Sequence, residues 1–101
     1  MWLMVQFDLP VATAEERRAY SRFRKELIRA GFTQFQKSIY LRWEDTDGQG
    51  SRTASAIRRK VPPKGTVTVL QLPPGVFERS FLCRDGEKGE PPEVPGCFVL
   101  V

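Results

Sequence analysis

The sequence predicts an α+β domain in which two helices cover one face of a four-stranded antiparallel sheet. Three observations support this fold class. Short runs of β-forming residues alternate with two segments of helical periodicity, and capping residues or prolines bound those segments. The order is strand, helix, strand, strand, helix, strand, which is the ferredoxin-like βαββαβ plan. A chain of 101 residues suits one domain with a small core, which a dimer would supplement.

The first strand is predicted at the start of the chain. Trp2 to Phe7 is a run of β-forming residues. It should end near Asp8, because Pro10 cannot donate a hydrogen bond to a neighbouring strand.

The first helix has the clearest signal in the sequence. Thr13 and Glu16 form a capping box, in which each side chain can bond an amide that the first turn leaves unpaired. We expect a helix over residues 14–30, ended by Gly31. Its apolar face contains residues at helical spacing: Ala19, Tyr20, Phe23, Leu27 and Ala30.

Two more strands and a second helix follow. The strands are predicted over residues 32–35 and 38–43, with a tight connection between them. Residues 44–50 read as a polar turn, after which Ser51 is expected to cap the second helix. The two prolines at 62 and 63 end that helix, and its apolar face is expected to contain Ala54, Ile57 and Val61.

The last third of the chain has weaker patterns. Thr66 to Leu72 is predicted to be the fourth strand, and Phe81 to Cys83 the centre of a fifth. Residues 85–96 are rich in Gly, Pro and Glu and read as an extended linker. We therefore divide the chain into a ferredoxin-like domain over 1–84 and, over 85–101, a linker with a short C-terminal strand that can add to a partner's sheet.

Both faces of the predicted sheet are largely apolar, although two helices can cover only one of them. We expect the second face to pack against another copy of the chain, which gives a two-fold dimer. In the first strand, Leu3, Val5 and Phe7 point to one face, and Trp2, Met4, Gln6 and Asp8 point to the other.

The composition excludes several kinds of chemistry. The chain has no histidine, so imidazole bases and histidine-based zinc sites are excluded. Cys83 and Cys97 lack the spacing of a redox pair, and we expect both to be buried free thiols. No apolar run is long enough to span a bilayer and no signal peptide opens the chain, so a cytoplasmic protein without membrane contact is expected.

Asp8 is the sharpest candidate for chemistry. It ends a strand on the face assigned to the dimer contact, where packing does not call for a carboxylate. A two-fold axis would turn one Asp8 into two facing carboxylates, and Mg²⁺ needs only one or two carboxylates plus water. The alternative is an ordinary cap of the turn at Leu9 and Pro10 or of the coming helix. Both interpretations remain open at this point.

The charge of the chain is concentrated in its first two thirds. Residues 1–65 hold thirteen of the sixteen Lys and Arg but only seven of the twelve acidic residues, which favours a polyanionic partner. Arginine dominates the first helix, and its planar group can bind phosphate with two hydrogen bonds. The alternative is a solvated helix face on which Glu15 and Glu26 balance part of the charge. The candidates for nucleic-acid contact are Arg17, Arg18, Arg22, Arg24, Lys37 and Arg42.

Several segments between Val5 and Arg42 carry a family resemblance. They are Val5–Pro10, Thr13–Tyr20, Phe23–Lys25, Gly31-Phe32, Gln36 and Ser38–Tyr40. In this order they resemble the second core CRISPR-associated protein (CRISPR-associated protein two), the small subunit of the machinery that acquires new spacers.

The resemblance implies a ferredoxin-like homodimer in which each C-terminal strand extends the partner's sheet. It implies that Asp8 matches the family's metal-binding aspartate, with Mg²⁺ or Mn²⁺ as cofactor. The implied partners are the CRISPR-associated integrase, which the dimer bridges, and duplex DNA held on a basic surface.

The residues and the resemblance together favour two functions. The first is a DNA-binding adaptor between integrase units. The second is a magnesium-dependent endonuclease on RNA or DNA, in which Asp8 is the catalytic and metal-binding residue and Ser38 helps to position water or substrate. An unrelated ferredoxin-like regulatory domain is the alternative, and it predicts no salt-dependent binding of nucleic acid.

Overall fold

A computed structural model describes residues 1–89 of the chain. Four strands form one antiparallel sheet in the order β2-β3-β1-β4, which confirms the ferredoxin-like plan. The elements are β1 (Trp2–Asp8), α1 (Ala14–Arg29), β2 (Thr33–Gln36), β3 (Ile39–Trp43), α2 (Asp47–Arg58), β4 (Thr66–Leu72), a 3₁₀ turn (Pro74–Val76), β5 (Leu82–Arg84) and β6 (Glu87–Gly89).

The main core lies between the sheet and the two helices. Alternate residues of β1 point into it, as the period of a strand requires. Phe7 lies at its centre, with its ring centroid 5.3 Å from that of Phe23 and 5.8 Å from that of Tyr40. Each fully buried side chain of this kind contributes about 1.5–3 kcal/mol of transfer free energy. The buried members are Leu3, Val5, Phe7, Leu9, Phe23, Leu27, Phe32, Tyr40 and Ile57.

Helix α1 begins as the sequence predicts. The Thr13 hydroxyl accepts a hydrogen bond from the Glu16 amide at 3.1 Å, and the Glu16 carboxylate accepts one from the Thr13 amide at 3.0 Å. The helix ends at Arg29, one residue earlier than expected, because Ala30 already adopts a capping conformation.

Helix α2 begins earlier than the sequence predicts. Its first residue is Asp47, so the prediction of a polar turn over 44–50 with a cap at Ser51 is wrong. Thr46 is the actual cap, and its hydroxyl accepts a hydrogen bond from the Gln49 amide at 3.1 Å. That capping offsets the low helix propensity of the two glycines in this turn. The helix ends at Arg58, so Val61 is not part of its apolar face.

The second face of the sheet is divided into an apolar and a polar end. At the apolar end, the segment after β4 folds back and places the Phe77 ring 5.5 Å from Trp2 and 5.7 Å from Phe35. The polar end exposes Gln6, Asp8, Thr66 and Thr68. The expectation of a largely apolar second face therefore holds only for one end, and the same chain covers most of that end.

The last described strands form a separate hairpin. Leu82–Arg84 pairs with Glu87–Gly89 across a turn with positive φ at Asp85 and Gly86. The fifth strand is therefore present close to its predicted position, but the prediction of a linker from residue 85 is wrong over 87–89. Cys83 is an exposed free thiol rather than a buried one. Cys97 and the predicted C-terminal strand lie outside the described residues.

No helix within residues 1–89 has the length and apolar character needed to cross a membrane.

Candidate functional site

Asp8 is the last residue of β1 and lies at the polar end of the second face. Its backbone partner on β4 is Thr66, and its side chain is exposed. Thr13, not Asp8, caps helix α1, and the Asp8 carboxylate accepts no hydrogen bond from any residue within 1–89. The cap interpretation is therefore removed, and the carboxylate is available to a ligand.

The backbone around Asp8 is fixed from two sides. Gly65, with φ of +92°, lies so close that a Cβ there would be 2.6 Å from the Asp8 carbonyl oxygen. On the other side of β1, the Phe7 amide donates a hydrogen bond to the Ser38 carbonyl at 3.1 Å. Ser38 is thus bonded through its backbone to the residue before Asp8, and the role of its hydroxyl stays a prediction.

Arg17 holds the loop that follows Asp8. Its Nη1 donates hydrogen bonds to the carbonyl oxygens of Val11 at 3.2 Å and Ala12 at 3.1 Å. The same loop is bonded from the other direction, because the Ala12 amide donates to the Glu16 carboxylate at 3.0 Å. One end of the Arg17 guanidinium is thus engaged within the chain, which the sequence pattern gave no means of detecting.

Arg42 is also engaged within the chain. Its Nη1 donates to the Ala30 carbonyl, and its Nε lies 2.9 Å from a carboxylate oxygen of Glu44. Glu44 is buried, with 3% of its side chain exposed, so Arg42 balances a charge that would otherwise be costly. The Arg42 Nε–H is not aligned for a hydrogen bond with that Glu44 oxygen, so the contact is an ion pair only.

The other predicted contact residues are less constrained. Arg18 and Arg22 are exposed on α1 and form no ion pair within residues 1–89. Arg24 is half-buried, and Lys37 is exposed in the turn between β2 and β3. Arg18 and Arg22 are therefore the residues of the predicted set best placed to bind phosphate, because their guanidinium groups are not engaged there.

Glu26 balances part of the charge of α1, as the solvated-face interpretation expects. It pairs with Arg29 at 2.8 Å and with Lys60, beyond the end of α2, at 3.0 Å. The hydrogen bond from Lys60, joined by the charges of Lys60 and Arg29, lowers the pKa of Glu26. Glu15 forms no such pair within residues 1–89.

One copy offers a metal ion few protein ligands within residues 1–89. Within residues 1–89, no three side chains of His, Cys, Asp or Glu lie close enough together to form a metal site. The exposed Asp8 offers one carboxylate to such an ion, and Mg²⁺ binds through one or two carboxylates with water in its other positions. A second copy placed across the polar end of this face would supply the other carboxylate.

The fold and these side chains define a ferredoxin-like protein with an unpartnered carboxylate at the end of its first strand and a basic first helix. The family model described as CRISPR associated protein Cas2 matches residues 1–79. The chain belongs to that family, which confirms the resemblance found in the sequence.

Named relatives agree with the family model. The chain is 32% identical over 100 residues to the CRISPR-associated endoribonuclease Cas2 of Paracidovorax avenae, covering 99% of this chain and 93% of the relative. It is 40% identical over 88 residues to the protein of that name from Lacticaseibacillus rhamnosus, covering 87% of each. With that from Ligilactobacillus salivarius it is 44% identical over 72 residues, 71% of each chain.

Proposed function

We propose that this chain forms a two-fold dimer that cleaves RNA with a divalent metal ion held by two Asp8 carboxylates. The observation that carries the proposal is the exposed Asp8 side chain, which has no hydrogen-bond partner within residues 1–89. The printed name of the relatives, endoribonuclease, supports RNA as the substrate. The exposed free thiol of Cys83 favours a reducing compartment such as the cytoplasm.

Two uncovered features of a single copy, the polar end of the second face and the edge strand β4, support the dimer. The polar end of the second face has one carboxylate, two threonine hydroxyls and an amide, and no covering element among residues 1–89. Strand β4 is an edge strand of the sheet, and such edges are usually covered in native proteins. Addition of the partner's C-terminal strand to this edge would cover it and bring the two polar ends together.

The donor set fits Mg²⁺ or Mn²⁺. Two carboxylates with water in the remaining positions match the usual ligand number for a hard divalent cation bound by few protein groups. When bound, such an ion polarises a phosphoryl oxygen and lowers the pKa of bound water. The Asp8 carboxylates would hold the ion and orient its bound water, and Thr66, paired with Asp8 on β4, would offer its hydroxyl to the phosphodiester, as would Ser38 in the turn before β3. Because the chain has no histidine and the Asp8 carboxylates would bind the ion, the proton of that water would pass to solvent.

A magnesium titration with labelled single-stranded RNA tests this function. Wild type should cut the RNA as Mg²⁺ rises, and Asp8→Asn should lose cutting while keeping its fold and RNA binding. Asp47→Asn is the matched control, because it removes the same charge from the exposed start of α2. Equal cutting by wild type and Asp8→Asn would contradict the proposal.

A second function is supported by the unengaged arginines of α1. We propose that Arg18 and Arg22 bind the phosphates of duplex DNA, so that the dimer serves as an adaptor between CRISPR-associated integrase units in spacer acquisition. Each phosphate contact contributes about 0.9 to the slope of log affinity against log salt for duplex DNA. Arg18→Glu with Arg22→Glu should flatten that slope and weaken assembly with the integrase on DNA, whereas Arg79→Glu, in the segment after β4, should not. An unchanged slope would contradict this role of α1.

A further inference from the structure

A groove of about 510 Å³ lies between α1 and the connection that follows α2. It is on the helix side of the sheet, whereas Asp8 points to the opposite side. Apolar residues form part of its lining, including the rigid pair Pro62 and Pro63. Four charged side chains also line it: Arg22, Glu26, Arg29 and Lys60.

Two of the cations in this groove are held by one carboxylate, that of Glu26. One oxygen of the Glu26 carboxylate lies 2.8 Å from the Arg29 guanidinium, and the other lies 3.0 Å from the Lys60 ammonium. Arg22 is one helical turn before Glu26 on the same face of α1 and has no ion-pair partner within residues 1–89. The groove therefore has three cations and one carboxylate, which pairs with two of them, and this leaves it positively charged.

The Glu26 carboxylate occupies the place that suits a phosphodiester. Both groups present two oxygens that share one negative charge, and both bind a guanidinium and an ammonium in the same way. Since exposed ion pairs contribute little stability, a phosphate can replace Glu26 between Arg29 and Lys60 at small cost. The Glu26 pair keeps the two cations oriented while the groove is empty.

We propose that this groove is a phosphate subsite for a single nucleic-acid strand, with Arg22, Arg29 and Lys60 as the ligands and Glu26 as an internal competitor. A flexible single strand can bring one phosphate to cations that lie on two elements, α1 and the connection after α2. The adjoining groove toward Leu9 is lined by Glu15, Glu16 and Lys64, a negative balance that suits phosphate less well. The subsite is therefore confined to the end of α1 near Arg29. The choice of RNA as the ligand of this subsite rests on the proposed cleavage of RNA.

Binding of a labelled oligouridylate, measured by fluorescence anisotropy over a salt series with chelator present, tests the subsite. Glu26→Gln should bind about fourfold more tightly, the effect of removing one charge about 5 Å from a phosphate in water. Lys60→Gln and Arg22→Gln should each reduce the salt slope by about 0.7, the value per phosphate contact on single strands.

Two control variants match these charge changes outside the groove. Glu78→Gln removes a negative charge from the segment after β4, and Arg59→Gln removes a positive charge beside Lys60; neither residue lines the groove. The proposal is overturned if Glu26→Gln binds no more tightly than Glu78→Gln, or if Lys60→Gln has the same slope as Arg59→Gln. It is also overturned if the groove variants change only the binding of duplex DNA.

The subsite and the nuclease can fail separately. If wild type binds oligouridylate with the expected variant pattern but never cuts RNA, the nuclease proposal is wrong and the subsite remains. If cutting depends on Asp8 while the groove variants bind RNA as wild type does, the subsite is wrong and the nuclease remains.

Discussion

Gly65 lies directly against the backbone of Asp8. A Cβ at position 65 would be 2.6 Å from the Asp8 carbonyl oxygen and 2.8 Å from a methyl carbon of Leu9. The φ of Gly65 is +92°, a conformation that other residues rarely adopt. Only glycine therefore lets β4 begin beside the end of β1, and this contact fixes where the Asp8 carboxylate lies.

Gly65→Ala should destabilise the protein by about 3 kcal/mol, because a left-handed backbone cost of about 1–2 kcal/mol adds to the clash with Asp8. The free energy of unfolding in urea measures this loss. Metal-dependent cutting should fall further than the loss of folded protein explains, since the end of β1 must shift to admit the new methyl group.

Gly86→Ala provides the matched control for that change. Gly86 also has a positive φ, of +83°, but no atom lies within 4 Å of the position its Cβ would take. It should therefore show only the backbone cost, and RNA cutting should be unchanged. Equal effects of the two substitutions on cutting would show that the Gly65 contact does not position Asp8.

Arg42 should matter for stability through Glu44. Arg42→Gln leaves a nearly buried carboxylate without its cation, which we expect to destabilise the fold by about 2 kcal/mol after allowance for the partial exposure of Arg42. Chemical denaturation measures the change. Adding Glu44→Gln should restore much of the loss, because the uncompensated charge is then gone. A double variant less stable than Arg42→Gln would contradict this account of the pair.

The contribution of Glu26 to stability should be present at neutral pH and lost in acid. Its pKa is lowered in the folded protein, first by the hydrogen bond from Lys60, so the stabilisation is present above the ordinary carboxyl pKa of 4.5. It is lost as the pH falls through the folded-state value. Urea unfolding of wild type and Glu26→Gln across this range should give curves that converge below pH 4.5 and stay parallel above it. Curves that remain parallel in acid would contradict the assigned pKa shift.

Local signals in the sequence predicted much of the fold. The capping box of Thr13 and Glu16 fixes the start of α1 from two residues alone, and the alternation along β1 identifies its buried face. The start of α2 was missed because two glycines resemble a turn, while the hydrogen bond that matters is made by Thr46. The glycine content of this segment indicates a turn, whereas the capping bond of Thr46 starts a helix, and the helix is what forms.

Long-range contacts account for the rest of the differences. Phe77 covers the apolar end of the second face from about seventy residues along the chain, which no local pattern predicts. The choice between cap and metal ligand for Asp8 depended on whether its side chain has a partner, and the sequence could not decide it. Likewise, Arg17 and Arg42 were selected by charge, whereas their nearest groups are carbonyls and a carboxylate of the same chain.

The proposed function requires two Asp8 carboxylates to hold one metal ion in a dimer. Isothermal titration of the purified protein with Mg²⁺, with mass measured in the same buffer, tests it most directly. We expect one ion per two chains for wild type, a dimeric mass for both proteins, and no specific binding by Asp8→Asn. One ion per chain, or unchanged binding by Asp8→Asn, would contradict the claim.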